Sequence, residues 1–219
     1  MTPTLFAHPF SSYCQKVLIA LHENATRFEY RNLDGRDNPA MRELESLWPI
    51  KKFPLLVDQG RVVVEASIII EYLQIHHSGP TRLIPEDADC ALEVRKLDRF
   101  FDNYVHAPLQ NIVSDRLRPV EHRDAFGVDQ ARKMLDRAYA WIESSMGDRE
   151  WANGADFSLA DCAAAPALFY ADWAHPIAPS FPTLLGYRKR LLARPSFARA
   201  VEEARPYRSY FPLGAPNRD

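Results

Sequence analysis

Two serines and a cysteine, Ser11, Ser12 and Cys14, crowd one short stretch near the start of the chain. The apolar residues Val17, Leu18, Ala20 and Leu21 follow at helical spacing, so the serines mark a helix N-terminus. Cys14 stands where the second thiol of a C-x-x-C pair would, with Ser11 in place of the first. In the first helical turn a thiol can be activated by the helix dipole, or it can pack inward as a small apolar group. Ser158 and Asp161, three residues apart, form a second local pattern, a helix-capping box, which implies structure and no catalysis. The remaining cysteines, Cys90 and Cys162, lie far away, and neither C-x-x-C nor H-E-x-x-H occurs, so zinc has no support. The 8 glycines never form G-x-G-x-x-G or a P-loop, which removes the common nucleotide-binding signatures.

The elements that must position these residues follow from apolar spacing. Thr4 to His8 reads as a strand, and the segment from Ser11–Ser12 as a helix. Arg27 to Leu33 alternates as a second strand, and Pro39 opens a helix carrying Met41, Leu44 and Leu47. Phe53 to Val57 and Arg61 to Val64, joined by a turn at Asp58–Gly60, make a hairpin. Ile68, Ile69, Tyr72, Leu73 and Ile75 carry a helix to His76 and His77. The order is βαβαββα over residues 1–77. Ser78 to Asp87 is Pro-rich and reads as a linker. Residues 88–219 read as all-α, with long segments from Ala88 to Leu117 and Asp124 to Met146 and a helix opening at Ser158. Shorter helices are expected over Thr183–Ala193 and Ser196–Ala204.

Composition sets the frame for function. Lys and Arg number 27 against 29 Asp and Glu, a formal charge of −2, so nothing favours nucleic acid or an anionic membrane. No apolar run approaches the ~18 residues of a membrane span, and the N-terminus lacks the pattern of a signal peptide. With an odd number of scattered cysteines, the expectation is a cytoplasmic protein with free thiols.

Four segments together resemble the cytosolic glutathione S-transferases, over nearly the whole chain. His8-Pro9-Phe10-Ser11-Ser12-Tyr13-Cys14-Gln15-Lys16-Val17 is similar to the first turn and helix of the serine-type classes. Pro49 to Leu56 resembles the N-P-x-G-K-V-P-x-L segment that holds the family's cis-proline. Glu65 to Leu73 resembles E-S-x-A-I-x-x-Y-L, and Phe157-Ser158-Leu159-Ala160-Asp161 matches [FY]-[ST]-x-A-D. The resemblance implies a thioredoxin-like domain followed by a helical one, glutathione as co-substrate, no metal, a small electrophile as second substrate, and a homodimer.

It also implies residue roles. The family's catalytic serine stands six residues before Val17, which is Ser11, leaving Ser12 to cap the helix or face the ligand's edge. A thiol of pKa ~8.5 is mostly protonated at neutral pH. A hydroxyl donor worth ~1.5–3 kcal/mol lowers that pKa by about one to two units. Phe53, before Pro54, would offer its backbone to the cysteinyl part of glutathione. Glu65 would take the γ-glutamyl ammonium, with Ala66, Ser67 and the helix amides at its carboxylate, and Lys52 would take the glycyl carboxylate. Ala66 departs from the family's serine, and one hydroxyl donor is thereby missing. For the electrophile, Phe10, Tyr104 and His106 are expected walls, with Phe101, Val105, Leu109, Tyr170 and Trp173 as further helix residues. Arg116 and Arg118 could recognise an anionic substrate, but read first as a solvated face. Leu92, Arg95 and Arg99 are expected at the dimer seam. The same scaffold also accommodates glutathione-dependent isomerases, dehalogenases and peroxidases, and binding modules without turnover.

Overall fold

A computed structural model describes residues 2–35 and 37–219. The expected βαβαββα order followed by helices is the order found. Strand β1 (Thr4–Ala7) pairs in parallel with β2 (Glu29–Asn32) across helix α1 (Ser12–Glu23). On its other side β1 runs antiparallel to β3 (Leu55–Asp58), which pairs with β4 (Arg61–Val64), giving the order β2-β1-β3-β4. Gln59 and Gly60 both take positive φ, 51° and 79°, as a two-residue hairpin turn requires. Alternation along the strands divides the core. Leu5, Ala7 and Leu56 face α1 and α3 (Ala66–His76), while Phe6 and Leu55 face α2 (Pro39–Leu47) through Leu44.

The segment 78–87 holds no helix or strand, and Asp87 then caps α4 (Ala88–Phe100), accepting from the Cys90 N–H at 2.8 Å. The single helical segment expected to Leu117 is interrupted. A π-helical turn spans Phe101–His106 before α5 (Ala107–Leu117), and the Ala107 N–H reaches five residues back to Asp102 O. The cause is Pro108, which cannot donate to the Tyr104 carbonyl and crowds it sterically. Helices α6 (Ala125–Met146), α7 (Leu159–Ala174), α8 (Pro182–Ala193) and α9 (Pro195–Ala204) follow, and a 3₁₀ segment, Arg205–Tyr210, leads into the C-terminal tail. Both halves of the capping box at Ser158 and Asp161 are made. Asp161 also accepts from the Ala152 N–H at 2.8 Å and the Tyr187 hydroxyl at 2.6 Å, so its buried carboxylate is fully paired. No helix among the described residues is long and apolar enough to cross a membrane.

The two halves share one continuous core, in which α1 packs against α7 and α9 as well as the sheet. Polar side chains on α1 are buried in that seam. Gln15 donates to Pro9 O and to the Tyr170 hydroxyl, both at 3.0 Å. Lys16, 1% exposed, sets its ammonium 2.6 Å from Asp98 and 2.8 Å from Asp102, and donates to Ser67 Oγ at 3.0 Å. Burial, then the like charge of Asp98, raises the Asp102 pKa above its usual value, against the opposing pull of Lys16. Removing one partner of a buried ion cluster leaves uncompensated charge, which costs about 3–5 kcal/mol. Lys16→Met is therefore expected to lower unfolding stability by that order in urea titrations at neutral pH. A loss below about 1 kcal/mol would show that the cluster is wet and carries no such charge.

Candidate active site

A cleft of about 980 Å³ opens between the α/β and helical halves. Its floor is the turn from β1 into α1. Ser11 is the N-cap of α1, in extended conformation, with its N–H donating to His8 O at 3.0 Å. Its Oγ accepts from the Cys14 N–H at 3.4 Å, so its hydroxyl hydrogen stays available to the cleft. The structure corrects the expectation that Ser12 caps the helix. Ser12 turns inward and lies 2.7 Å from His106 Nε2. That nitrogen is also 3.1 Å from the Gln110 amide nitrogen, a donor only, so Nε2 is the acceptor and its one lone pair is shared between the Gln110 N–H and the nearer Ser12 hydroxyl, which donates to it. Burial, and next the Lys16 charge, pushes the His106 pKa down to about 3, keeping the imidazole neutral. Ser12 therefore has no hydrogen left for a ligand.

The rest of this half of the cleft is built from two segments. The Phe53–Pro54 peptide is cis, and both residues line the cleft together with Lys52. The neighbouring Lys51 pairs with Glu45 at 3.0 Å. Glu65 caps α3 with φ 71° and ψ 118°, a conformation costly for a residue with a Cβ. It makes no side-chain capping bond, so its carboxylate is turned to the cleft. The Ile69 N–H is the first to find a helical acceptor, Glu65 O, which leaves the amides before it at an unsatisfied helix start. Ser67 also lines the cleft, but its hydroxyl does not serve it. That hydroxyl donates to Asp98 at 2.9 Å and accepts from Lys16 and from Arg99.

In the other half, Phe10 meets Tyr170 edge to face at 5.3 Å, opposite Leu109, Val113 and Leu117 on α5. Two expected walls are not there. Tyr104 is 49% exposed and packs on Phe100 outside the cleft, and His106 lies behind Ser12. Phe101 and Val105 belong to the core, and Trp173 is likewise buried against Phe169 and Phe211. Each turn of π-helix carries an extra residue, which rotates the helix face relative to an α-helical reading. As a result Asn103, Gln110 and Ser114 line the cleft instead. Arg118 pairs with Asp115 at 3.2 Å and Arg116 is exposed, consistent with a solvated face. Sequence reasoning also missed Tyr13, which stacks on His106 at 3.9 Å, and the tail residues Tyr210, Phe211 and Pro212. Tyr210 donates to Asp34 at 3.1 Å, joining the chain's last segment to its first domain. No periodicity could have signalled that contact. Arg99, expected at a dimer seam, lines the cleft, and Arg95 pairs with Glu71 of its own chain at 2.9 Å.

The family models match along the same division. The glutathione S-transferase N-terminal domain matches residues 5–81, and the C-terminal domain matches residues 125–190. The chain belongs to the glutathione S-transferase family. A glutathione S-transferase from Methylobacterium radiotolerans, solved in complex with glutathione sulfonate, is 29% identical with TM-score 0.79. The match covers 92% of this chain and 95% of that one. A probable maleylacetoacetate isomerase from Caenorhabditis elegans is 26% identical, over 93% of this transferase-family chain and 95% of the relative. A stringent starvation protein A homolog from Coxiella burnetii is 25% identical, over 92% of each.

Cys14 is fully buried, and burial pushes its thiol up to about 12. A thiolate at this helix start is thereby disfavoured, and with it redox catalysis by Cys14. Among the described residues no cluster of three or more His, Cys, Asp or Glu is arranged to hold a metal. Alkylation with iodoacetamide at pH 7.5 should modify exposed Cys90 and spare buried Cys14 and Cys162 until the protein is unfolded. Peptide mass spectrometry reads this directly, and rapid labelling of native Cys14 would reinstate the thiol reading.

Proposed function

We propose that this family member binds glutathione in the cleft, stabilises it as a thiolate through the Ser11 hydroxyl, and adds it to a small apolar electrophile. The observation that carries the proposal is the uncommitted Ser11 hydroxyl at the start of α1, in one cleft with Glu65, Phe53 and the cis-Pro54. In this reading Glu65 takes the γ-glutamyl ammonium, the first amides of α3 take its carboxylate, and Lys52 takes the glycyl carboxylate. The Phe53 backbone holds the cysteinyl unit over Ser11. The sulfur's negative charge then meets one hydroxyl and the positive end of α1, both of which favour the thiolate over the thiol. Its lone pair forms the new C–S bond to an electrophile seated against Phe10, Leu109, Val113 and Tyr170, and the displaced pair leaves with the departing group or, in addition to an activated double bond, is protonated from solvent. The complex of the Methylobacterium relative with glutathione sulfonate supports the ligand assignment. A cytoplasmic setting fits the three unpaired cysteines.

The likeness to the maleylacetoacetate isomerase favours a second reading, in which the thiolate adds and is expelled again from the same substrate. Both readings need Ser11, and they separate on whether glutathione is consumed.

Removing Ser11's donor should raise the bound thiol's pKa by about one to two units. Ser11→Ala is expected to lower kcat/KM roughly tenfold or more near neutral pH, with recovery at alkaline pH as thiolate forms unaided. Ser12→Ala should leave that profile in place. A profile moved by Ser12→Ala and not by Ser11→Ala would transfer the role to Ser12.

The homodimer remains part of the proposal. Ile68 and Ile75 on α3 and Leu92 on α4 expose apolar side chains (53%, 74% and 66%) on adjoining helices, which favours burial against a second copy. Light scattering at micromolar concentration should give twice 25.1 kDa, and Leu92→Glu should shift the mass toward the monomer. A wild-type monomer would remove the dimer from the reading.

A further inference from the structure

Where the family pattern has a serine hydroxyl at the start of α3, this chain has Ala66, and the neighbouring hydroxyl cannot stand in for it. Ser67 Oγ has one hydrogen and two lone pairs, and all three are taken, by Asp98, Lys16 and Arg99. Arg99 occupies a different position. Its side chain is about half exposed, and it lines the cleft beside Glu65, Ala66 and Ser67. The guanidinium donates through Nε to Asp98 at 3.0 Å, and the two hydrogens of Nη2 are shared among Asp98 at 2.6 Å, Asp102 at 3.0 Å and Ser67. Nη1 has no acceptor among the described residues, so its two N–H groups remain.

We infer that Arg99 is the substitute for the missing hydroxyl, a binding residue for the α-carboxylate of an amino-acid head group. The carboxylate of that zwitterion would meet the Arg99 Nη1 donors and the first amides of α3, and its ammonium would meet Glu65. Charge balance favours this. Lys16 and Arg99 neutralise Asp98 and Asp102 inside the cluster, so the one free carboxylate at the α3 start is Glu65, whose charge the ligand's own ammonium would meet. The two carboxylates also hold the guanidinium in place from behind, so little side-chain freedom is lost on binding. The inference rests on the glutathione reading and names one more residue of that site.

The test compares glutathione with 4-aminobutanoyl-Cys-Gly, which keeps the ammonium and thiol but lacks the α-carboxylate, by calorimetry. Arg99→Ala is expected to weaken glutathione roughly ten- to a hundredfold and to leave the analogue's affinity unchanged. Ala66→Ser alone should change glutathione affinity little, yet should restore most of the loss in the Arg99→Ala background. If Arg99→Ala does not fold, Arg99→Lys keeps the cluster's cation but not the fork, and the same selective loss is expected. Equal weakening of both ligands, or no rescue by Ala66→Ser, would make Arg99 a merely structural residue and overturn the inference. Unchanged glutathione binding in Arg99→Ala would do so too, while leaving the glutathione reading intact. A wild type that binds neither ligand overturns both.

Discussion

Lys16 sits dry in the seam between the two halves, and a charge in that position is tolerated only if its partners are already in place. The charged partners come from the other half, Asp98 from α4 and Asp102 from the π-helical turn, and Ser67 from α3 of Lys16's own half closes the set. Ser12 and Gln15, also on α1, are held in the same way by His106 and Tyr170. Helix α1 is thus bonded to the helical half along its buried face, by side chains shielded from water. An ion cluster of this kind adds little net stability over an apolar replacement, and we read its role as orientation. It sets the angle at which the start of α1 faces the cleft.

That orientation separates two chemically identical neighbours. Ser11 and Ser12 share a side chain, a helix start and a cleft, yet one hydroxyl hydrogen is spent on a neutral imidazole and the other is not. Neutrality of His106 is essential to the difference, because a protonated ring would have no lone pair to accept from Ser12. Burial enforces it. The same logic runs through Ser67, whose hydroxyl looks available on the cleft wall but is saturated from behind.

Local cost is concentrated at the start of α3. Glu65 is held at φ 71°, where an L-residue is disfavoured by of order 1–3 kcal/mol, and its carboxylate gives up the capping bond that would have repaid part of it. The hairpin β3–β4 on one side and the packing of Ile69, Ile70 and Leu73 on the other over-determine the bend. What results is an exposed carboxylate and a row of unpaired amides side by side, an arrangement suited to a zwitterion.

Much of the fold was legible in the residues themselves, because the signals were local. The hairpin shows in Gly60 between two apolar runs, the capping box in Ser158 and Asp161 three residues apart, and the helices in apolar spacing. Each of these is settled by atoms within one turn of chain. The candidate site was legible only in part: its segments could be named, but not which side chain in each segment looks inward. Tyr104 and His106 were misplaced because Pro108 forces a π-helical turn whose extra residue shifts the helix face. Arg99 and the tail residues Tyr210 to Pro212 were invisible as cleft residues because their neighbours are tens to more than a hundred positions away in the chain. The resemblance pointed to Ser11 over Ser12, but which of the two hydroxyls is spent inside the protein was not legible, for the same reason. Helix periodicity says that two adjacent side chains diverge, whereas which of them meets His106 depends on how α1 is rotated against a helix 94 residues later. Only the buried charges and hydrogen bonds of the assembled seam set that rotation.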